Sequence, residues 1–488
     1  MIAAFSSYNE VTTIVRNLTK APPFVYVRFE LFKSDQDVFF VLSTTVYKPQ
    51  EQCRKKHNHF DSPFHRPHIR LIVTTSSIAF ACIKQTNKQP LSCDYAPSVI
   101  FPNDTAESER REPKLYPLNR VNTSNQLTMD RLDLKKQMGY FAYSLRTLPS
   151  AYGKLDTNRL TLVHFCVHAL DLLHVWDQPA LLEELHLEKS AIIDWIYALQ
   201  VTSDQYPPEM VGFKGGAFLG GSFDPEGNSA ETSTAPRAYN HGHIAMTYTA
   251  LCTLKVLGDD WSRVDKEGII RALPYLQRPD GSFQCIAVGS EHDMRFLYCA
   301  CSISYMLQDW SGVDVARACA YIRNCRSWDG AFGLIPGQEG HGGSTFTAVA
   351  SMVLMNQLDH IMDEEWRSEL IYWCIHRQVG GMQGRPNKAE DTCYSYWIGG
   401  TLRLLQADNL LNHEKLVSFV LQCQTPMGGF SKIKNAYPDV LHAYYSLAYL
   451  SLSQGASGYH DESFSIKKLN CTLGIGDATA KVFEPNLP

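Results

Sequence analysis

Asp280-Gly281-Ser282-Phe283, Asp329-Gly330-Ala331-Phe332, Gly380-Gly381-Met382-Gln383 and Gly428-Gly429-Phe430 are four versions of one glycine turn. Aligned on Gly281, Gly330, Gly381 and Gly429, they recur at intervals of 49, 51 and 48 residues. Self-similarity at such a period marks a repeat architecture, and each interval holds two helices. A more divergent copy is expected to begin at Lys214-Gly215-Gly216-Ala217-Phe218. A polar residue some way beyond most turns opens an apolar helix: His241 before Ile244, Asp293 and Arg295 before Phe296, His341 before Thr345, Asp391 before Tyr394, His442 before Ala443. The simplest architecture is an all-α ring, an α/α barrel of about six helix pairs. Closed in that way, the inner helices present their N-termini at one mouth, where partial positive charge favours an anion.

Composition narrows the function classes. The 488 residues carry 44% hydrophobic and 19% charged residues and a net charge of -5, ordinary for a globular protein and without the basic surplus of a nucleic-acid binder. Fourteen cysteines lie scattered, several inside apolar helical stretches such as Leu297–Ile303, which reads as reduced thiols. The apolar stretch from Leu71 to Ile83 is too short and too rich in Ser and Thr to span a bilayer, and no secretory leader is visible, so a soluble cytoplasmic chain is expected. The Asn-x-Ser/Thr matches at Asn17, Asn103, Asn122 and Asn470 then have no glycosylation to report.

Three regions are expected: an unassigned extension over 1–128, with a composition that fits disorder or a gene-model extension; the helical barrel over 129–452; and a tail over 453–488 without a readable signal. Cys53, His57, His59, Cys82 and Cys93 fit no zinc module by spacing. The polar segment from Phe223 to Arg237 reads as a surface loop.

Asp391 and Cys393 lie two residues apart at the start of one inner helix, and His442 falls one repeat later. Taken singly, they read as a helix cap, a small core residue and a satisfied histidine. The repeat register joins them, since neighbouring helices of a ring would bring carboxylate, thiolate and imidazole together. Three such ligands leave one position open, the pattern of catalytic rather than structural zinc.

Residues from about 130 to 452 resemble the β-subunits of the CaaX protein prenyltransferases, most closely the type I geranylgeranyl branch. The resemblance rests on Gly384-Arg-Pro-Asn-Lys-Ala-Glu-Asp-Thr-Cys-Tyr-Ser-Tyr-Trp397, on Gly428-Gly-Phe-Ser-Lys432 with Pro438-Asp-Val-Leu-His-Ala-Tyr444, on Gly340-His-Gly-Gly-Ser-Thr-Phe346 and on Asp293-Met-Arg-Phe296. It implies an α/α barrel, one zinc ion on Asp391, Cys393 and His442, and an obligate helical α-subunit. It further implies transfer of a geranylgeranyl group from geranylgeranyl diphosphate to the cysteine of C-terminal CaaX motifs on Rho- and Rac-type small GTPases. His341, Arg385, Lys388 and Tyr394 match the diphosphate-binding positions.

Lys432 stands ten residues before His442, where the type I geranylgeranyl enzymes carry lysine and the farnesyl and Rab-directed enzymes carry aspartate. Its charge implies a reaction that does not need Mg²⁺. Thr161 falls where the farnesyl enzyme has a bulky tryptophan, which leaves room for a twenty-carbon donor. Tyr445 departs from the type I pattern toward the farnesyl one. Phe165 and Leu441 match the pocket for the peptide's aliphatic residue, so a leucine or phenylalanine terminus is expected, and Arg295 matches a position near the peptide carboxylate. A farnesyltransferase β-subunit and an inactive barrel scaffold are the alternatives. A terpene cyclase would need an Asp-x-Asp-Asp motif that the chain lacks.

Overall fold

The computed structural model describes residues 131–217, 240–456 and 464–483, together with the backbone of three strands nearer the N-terminus. Cys53, His57, His59, Cys82, Cys93, three of the Asn-x-Ser/Thr sites (Asn17, Asn103, Asn122) and the segment 223–237 lie outside the described residues. The chain divides into two units, Met1–Ile100 and Phe101–Pro488. In the first, strands β1 (Ile2–Phe5), β2 (Val25–Lys33) and β3 (Val38–Val46) form an antiparallel sheet in the order β1-β3-β2, with Val25 opposite Val46 and Ile2 opposite Ser43. β-branched and aromatic residues dominate β2 and β3, as strands favour.

The second unit is helical. Its outer helices are α1 (Leu134–Arg146), α3 (Lys189–Tyr197), α5 (Lys266–Leu276), α7 (Val315–Asn324), α9 (Glu364–Ile375) and α11 (His413–Gln422). Its inner helices are α2 (Arg159–Leu172), α4 (Ile244–Val256), α6 (Met294–Leu307), α8 (Gly342–Leu354), α10 (Thr392–Leu404) and α12 (Val440–Gln454). Inner helices are buried nearly all round, as α8 shows, whereas outer helices such as α7 bury one apolar stripe and are capped by side chains of Asp133, Asp265, Asp314, Asp363 and Asn412. α2 packs on α4, α4 on α6, α6 on α8, α8 on α10, α10 on α12, and α12 returns to α2. The ring of six pairs is closed.

The glycine turns are where consecutive repeats touch. Gly281, Gly330 and Gly428 have φ of +89°, +85° and +88°, and a Cβ on Gly281 would stand 2.1 Å from the Arg317 carbonyl oxygen of α7. Gly330 abuts Glu369 of α9, Gly381 abuts Phe419 of α11, and Gly428 abuts the Lys136 carbonyl of α1, so the last turn meets the first helix. Buried Gln137 secures this closure: its side-chain oxygen accepts the Gly429 N–H at 2.9 Å and its amide donates to Gln424 at 3.0 Å.

One pairing recurs beside each turn: Gln277 with Phe283, Arg326 with Phe332, Gln378 with Met382, Gln424 with Phe430. The equivalent pair in the divergent copy is Gln200 with Phe213. That copy therefore begins at Val211-Gly212-Phe213, ahead of the Lys214–Phe218 start read from sequence, because the paired apolar residue rather than the glycine doublet marks the register. Beyond α12, residues 464–483 lie across the C-terminal ends of the inner helices: the Lys467 N–H donates to the Leu172 carbonyl, Ser451 Oγ donates to the Lys467 carbonyl, and Gln308 Nε2 donates to the Phe483 carbonyl. The tail without a readable signal is thus part of the packed ring.

Candidate metal centre

The mouth is built from helix caps. The N–H of His243 donates to the Phe213 carbonyl, that of His341 to Phe332 and that of Asp391 to Met382, so the residues opening α4, α8 and α10 are each tied to the apolar residue of the adjoining turn. His243, Asp293, His341, Asp391 and Asp439 are the caps of α4, α6, α8, α10 and α12. Two sequence expectations are corrected here. His243, not His241, opens α4, and Asp439, not His442, opens α12. In both cases the capping side chain bonds a first-turn N–H, which the more upstream or downstream histidine cannot reach.

His442 consequently sits in the first turn of α12. Asp439 accepts twice from it, at Oδ1 from the backbone N–H (2.9 Å) and at Oδ2 from ring Nδ1 (2.6 Å). This fixes Nε2 toward Asp391, whose Oδ1 is 3.3 Å away. Asp391 caps α10 by accepting the Cys393 N–H at 3.0 Å, which draws the thiol to the same point. One ligand atom from each of Asp391, Cys393 and His442 lies within 4.8 Å of the others, and all three residues are buried. Lys432 Nζ stands 3.4 Å from Asp391 Oδ2.

The charges of the three side chains are tightly linked. Burial works to raise the Asp391 carboxyl, but the hydrogen bond and charge of His442 outweigh it and hold Asp391 below the ordinary carboxylate range. Burial works against the charged form of His442 too, yet hydrogen bonds to Asp391 and Asp439 raise it to about 9. Burial, then the adjacent Asp391 carboxylate, push the Cys393 thiol well above its usual range. The donor set suits zinc: one carboxylate, one thiol and one imidazole whose second nitrogen is held by a carboxylate, the arrangement that orients metal-bound histidine.

Next to this group, His341 Nδ1 accepts the Gly343 N–H at 3.1 Å and Nε2 lies 2.8 Å from the Tyr394 hydroxyl. Burial and the nearby Arg385 guanidinium lower His341 to about 4, so the ring is neutral at physiological pH. With Nδ1 accepting, the ring proton is assigned to Nε2, which donates to Tyr394 and leaves that hydroxyl's own hydrogen to donate elsewhere. Arg385 pairs with Glu339 at 3.2 Å, and the Lys388 N–H donates to the Arg385 carbonyl at 3.3 Å. Arg295 is held by Asp293 at 2.7 Å and Glu291 at 3.0 Å.

Deeper in the ring, Phe165 stacks on Tyr444 and meets Tyr445 edge-on, each at 5.6 Å between centroids. Leu441, half-buried, packs against the same core. Thr161 faces α4, where its Oγ1 lies 3.3 Å from Met246 Sδ. The structure thus joins Asp391, Cys393, His442 and Lys432 in one group and His341, Tyr394 and Arg385 in a second, while Thr161 and Arg295 lie in other parts of the ring. Sequence reasoning missed Asp439, although an aspartate three residues before a histidine at a helix start is a legible signal for a capped and oriented imidazole.

This ring is a toroid of a known class. The family model described as Prenyltransferase alpha-alpha toroid domain matches residues 132–475. Geranylgeranyl transferase type-1 subunit beta of Arabidopsis thaliana is 37% identical over 372 residues, 74% of this chain and 95% of the relative. Its counterpart in Dictyostelium discoideum is 37% identical over 323 residues, 65% of this chain and 90% of the relative. The chain belongs to the prenyltransferase toroid family of enzymes, in the group of type-1 geranylgeranyl transferase β-subunits. A solved structure, Candida albicans protein geranylgeranyltransferase-I complexed with GGPP, shares the fold, with a TM-score of 0.61 and 24% identity over 73% of this chain and 99% of that one.

Proposed function

We propose that this chain, as the β-subunit of a two-subunit enzyme, transfers a geranylgeranyl group from geranylgeranyl diphosphate to the cysteine thiol of C-terminal CaaX sequences, leucine-terminated ones foremost, on small GTPases of the Rho and Rac type. The observation that carries the reading is the convergence of Asp391, Cys393 and His442 at the ring mouth. These three residues would hold zinc, and zinc supplies a Lewis acid that lowers the pKa of an acceptor thiol toward neutrality.

The chain's own residues act on the other partner of the reaction. As the acceptor sulfur bonds to C1 of the prenyl chain, the C1–O bond breaks and its electron pair leaves on the diphosphate. Tyr394 donates its hydroxyl hydrogen to that leaving group, and Arg385, Lys388 and Lys432 offset its growing charge. His341 positions Tyr394 through the 2.8 Å hydrogen bond. Lys432 replaces a divalent cation in this role, so the reaction runs without Mg²⁺. Thr161 leaves room for the fourth isoprene unit, with the flexible thioether of Met246 beside it. Phe165, Leu441 and Arg295 are assigned to the acceptor peptide. Among the described residues no helix is long and apolar enough to cross a membrane.

The test is co-expression with a prenyltransferase α-subunit, followed by transfer to a Cys-a-a-Leu peptide from farnesyl and geranylgeranyl diphosphate, with zinc present and magnesium withheld. Preferred geranylgeranyl transfer is expected. Farnesyl preference would overturn the donor assignment, and dependence on added Mg²⁺ would overturn the role of Lys432.

A further inference from the structure

Arg385, assigned above to the diphosphate, already holds an anion of the chain's own. Glu339 Oε2 lies 3.2 Å from its Nη1, within hydrogen-bond distance. The two side chains come from neighbouring repeats: Glu339 stands two residues ahead of His341, the cap of α8, and Arg385 lies in the loop that leads to Asp391, the cap of α10. An ion pair between two exposed side chains contributes little. Here the Arg385 side chain keeps only 25% of its surface, against 45% for Glu339.

The backbone on both sides of the pair is fixed. The Gly342 N–H donates to the Gly384 carbonyl at 2.9 Å, which ties the start of α8 to the Arg385 loop. Gly340, next to Glu339, has no room for a Cβ, which would stand 2.7 Å from both the Ala331 Cβ and Asp329 Oδ1. Gly384, next to Arg385, is pressed in the same way against the ring of Tyr394. The loop closes on itself, with the Lys388 N–H donating to the Arg385 carbonyl at 3.3 Å and Gln383 Nε2 donating to the Lys388 carbonyl at 2.7 Å. Glu339 and Arg385 are therefore brought together by the fold.

A carboxylate beside this arginine opposes the binding of any phosphate. Yet equal binding of ground state and transition state does not raise the rate of the chemical step, and slow product release can limit turnover. Pyrophosphate freed in the reaction faces the same Arg385 as the donor did. We propose that Glu339 is a positioning residue that competes with diphosphate for Arg385: it holds the guanidinium in the free ring, yields it to the bound diphosphate, and takes it back as pyrophosphate leaves. The proposal rests on the reading above that a polyprenyl diphosphate binds at His341, Arg385, Lys388 and Tyr394.

The test uses full-length Glu339→Gln, Arg385→Gln and the double variant, each co-expressed with an α-subunit and established as folded by thermal unfolding. Glutamine keeps the size of the side chain and an acceptor oxygen but loses the charge. Inorganic pyrophosphate is titrated by calorimetry, and geranylgeranyl diphosphate, whose apolar chain keeps binding measurable without the arginine, by competition. Glu339→Gln should tighten both ligands about three- to fivefold, the upper range for a partly exposed ion pair. The sign is diagnostic, because losing a purely structural contact loosens a site rather than tightening it. Pyrophosphate should likewise inhibit transfer by Glu339→Gln at about three- to fivefold lower concentration. In the Arg385→Gln background the gain for geranylgeranyl diphosphate should vanish to within about 1.5-fold, as coupling through the arginine requires. Unchanged or weaker binding in Glu339→Gln would overturn the proposal. So would a gain of the same size without Arg385, which would mean that the carboxylate repels the ligand directly. An unmodified complex that binds neither ligand would instead overturn the prenyl reading.

Discussion

Asp439 illustrates how one carboxylate does two jobs that mutation can separate. It caps α12 and it holds His442 Nδ1, both within hydrogen-bond distance. Asparagine caps helices about as well as aspartate but brings no charge to the imidazole. Asp439→Asn should therefore keep more of the unfolding midpoint than Asp439→Ala, since it loses the charge that raises His442 but not the cap, while weakening zinc affinity about 10- to 100-fold, the usual effect of losing a carboxylate behind a ligating histidine. Asp439→Ala should lower both. Competition titration against a chelator beside thermal unfolding reads the two properties, and equal zinc affinity in Asp439→Asn and the parent chain would refute the positioning role.

The same three ligands predict proton release. In the metal-free protein His442 is raised to about 9 and Cys393 lies above its ordinary range, so both carry protons at pH 7. A metal takes the neutral imidazole and the thiolate, and loading one ion at pH 7 should displace about two protons. Calorimetric titration in two buffers of different ionisation enthalpy gives the number directly. A count near zero would mean that one of the two residues does not ligate.

At the scale of elements, the repeat explains which glycines matter. Gly281 combines φ of +89° with a Cβ position 2.1 Å from a backbone oxygen of α7, whereas Gly289 has φ of +74° and open space around it. Gly289→Ala should cost about 1 kcal/mol, for the left-handed conformation alone. Gly281→Ala must also move α7, and a loss of more than about 3 kcal/mol is expected, since backbone cannot yield as a side chain can. Urea denaturation of the two variants checks the ordering, and equal losses would mean that the turn and the neighbouring helix are not in register.

The contrast also shows what was legible beforehand. The period, the ring and the Asp391, Cys393 and His442 group could be read because glycine turns and cap residues act within a few residues of themselves. The corrected caps at His243 and Asp439 turn on which of two nearby polar residues reaches a first-turn N–H, a matter of one helical step. The anchoring of the C-terminal segment could not be read at all: Tyr248 donates to the Leu473 carbonyl across a long stretch of sequence, and a tyrosine at the fifth position of a buried helix looks like core until its hydroxyl is seen to have a partner.

For the whole molecule, the buried histidines set the acid limit of stability. Burial lowers His164 to about 3, and His243 and His341, each also beside an arginine, to about 4. A histidine with a depressed folded pKa contributes stability in full above its unfolded value of about 6.5, and that stability is lost as pH falls toward the folded value. Each such group should cost about 1.4 kcal/mol per pH unit below 6.5, down to about pH 4. His442 has the opposite sign. Raised to about 9 in the metal-free chain, its contribution is complete below about 6.5 and fades as pH rises through 9, so it cannot offset the acid losses. Metal-free protein should be most stable near pH 6.5 and lose several kcal/mol by pH 5, a fall seen as a drop in the urea midpoint. Replacing His164, which sits in the core within 3.9 Å of the His168 ring, by glutamine should flatten that fall by one group's share even if it lowers the midpoint overall. A midpoint that stays level between pH 6.5 and 5 would mean that the ring opens enough to hydrate these imidazoles before it unfolds, contrary to a core closed at one end by its own C-terminal segment.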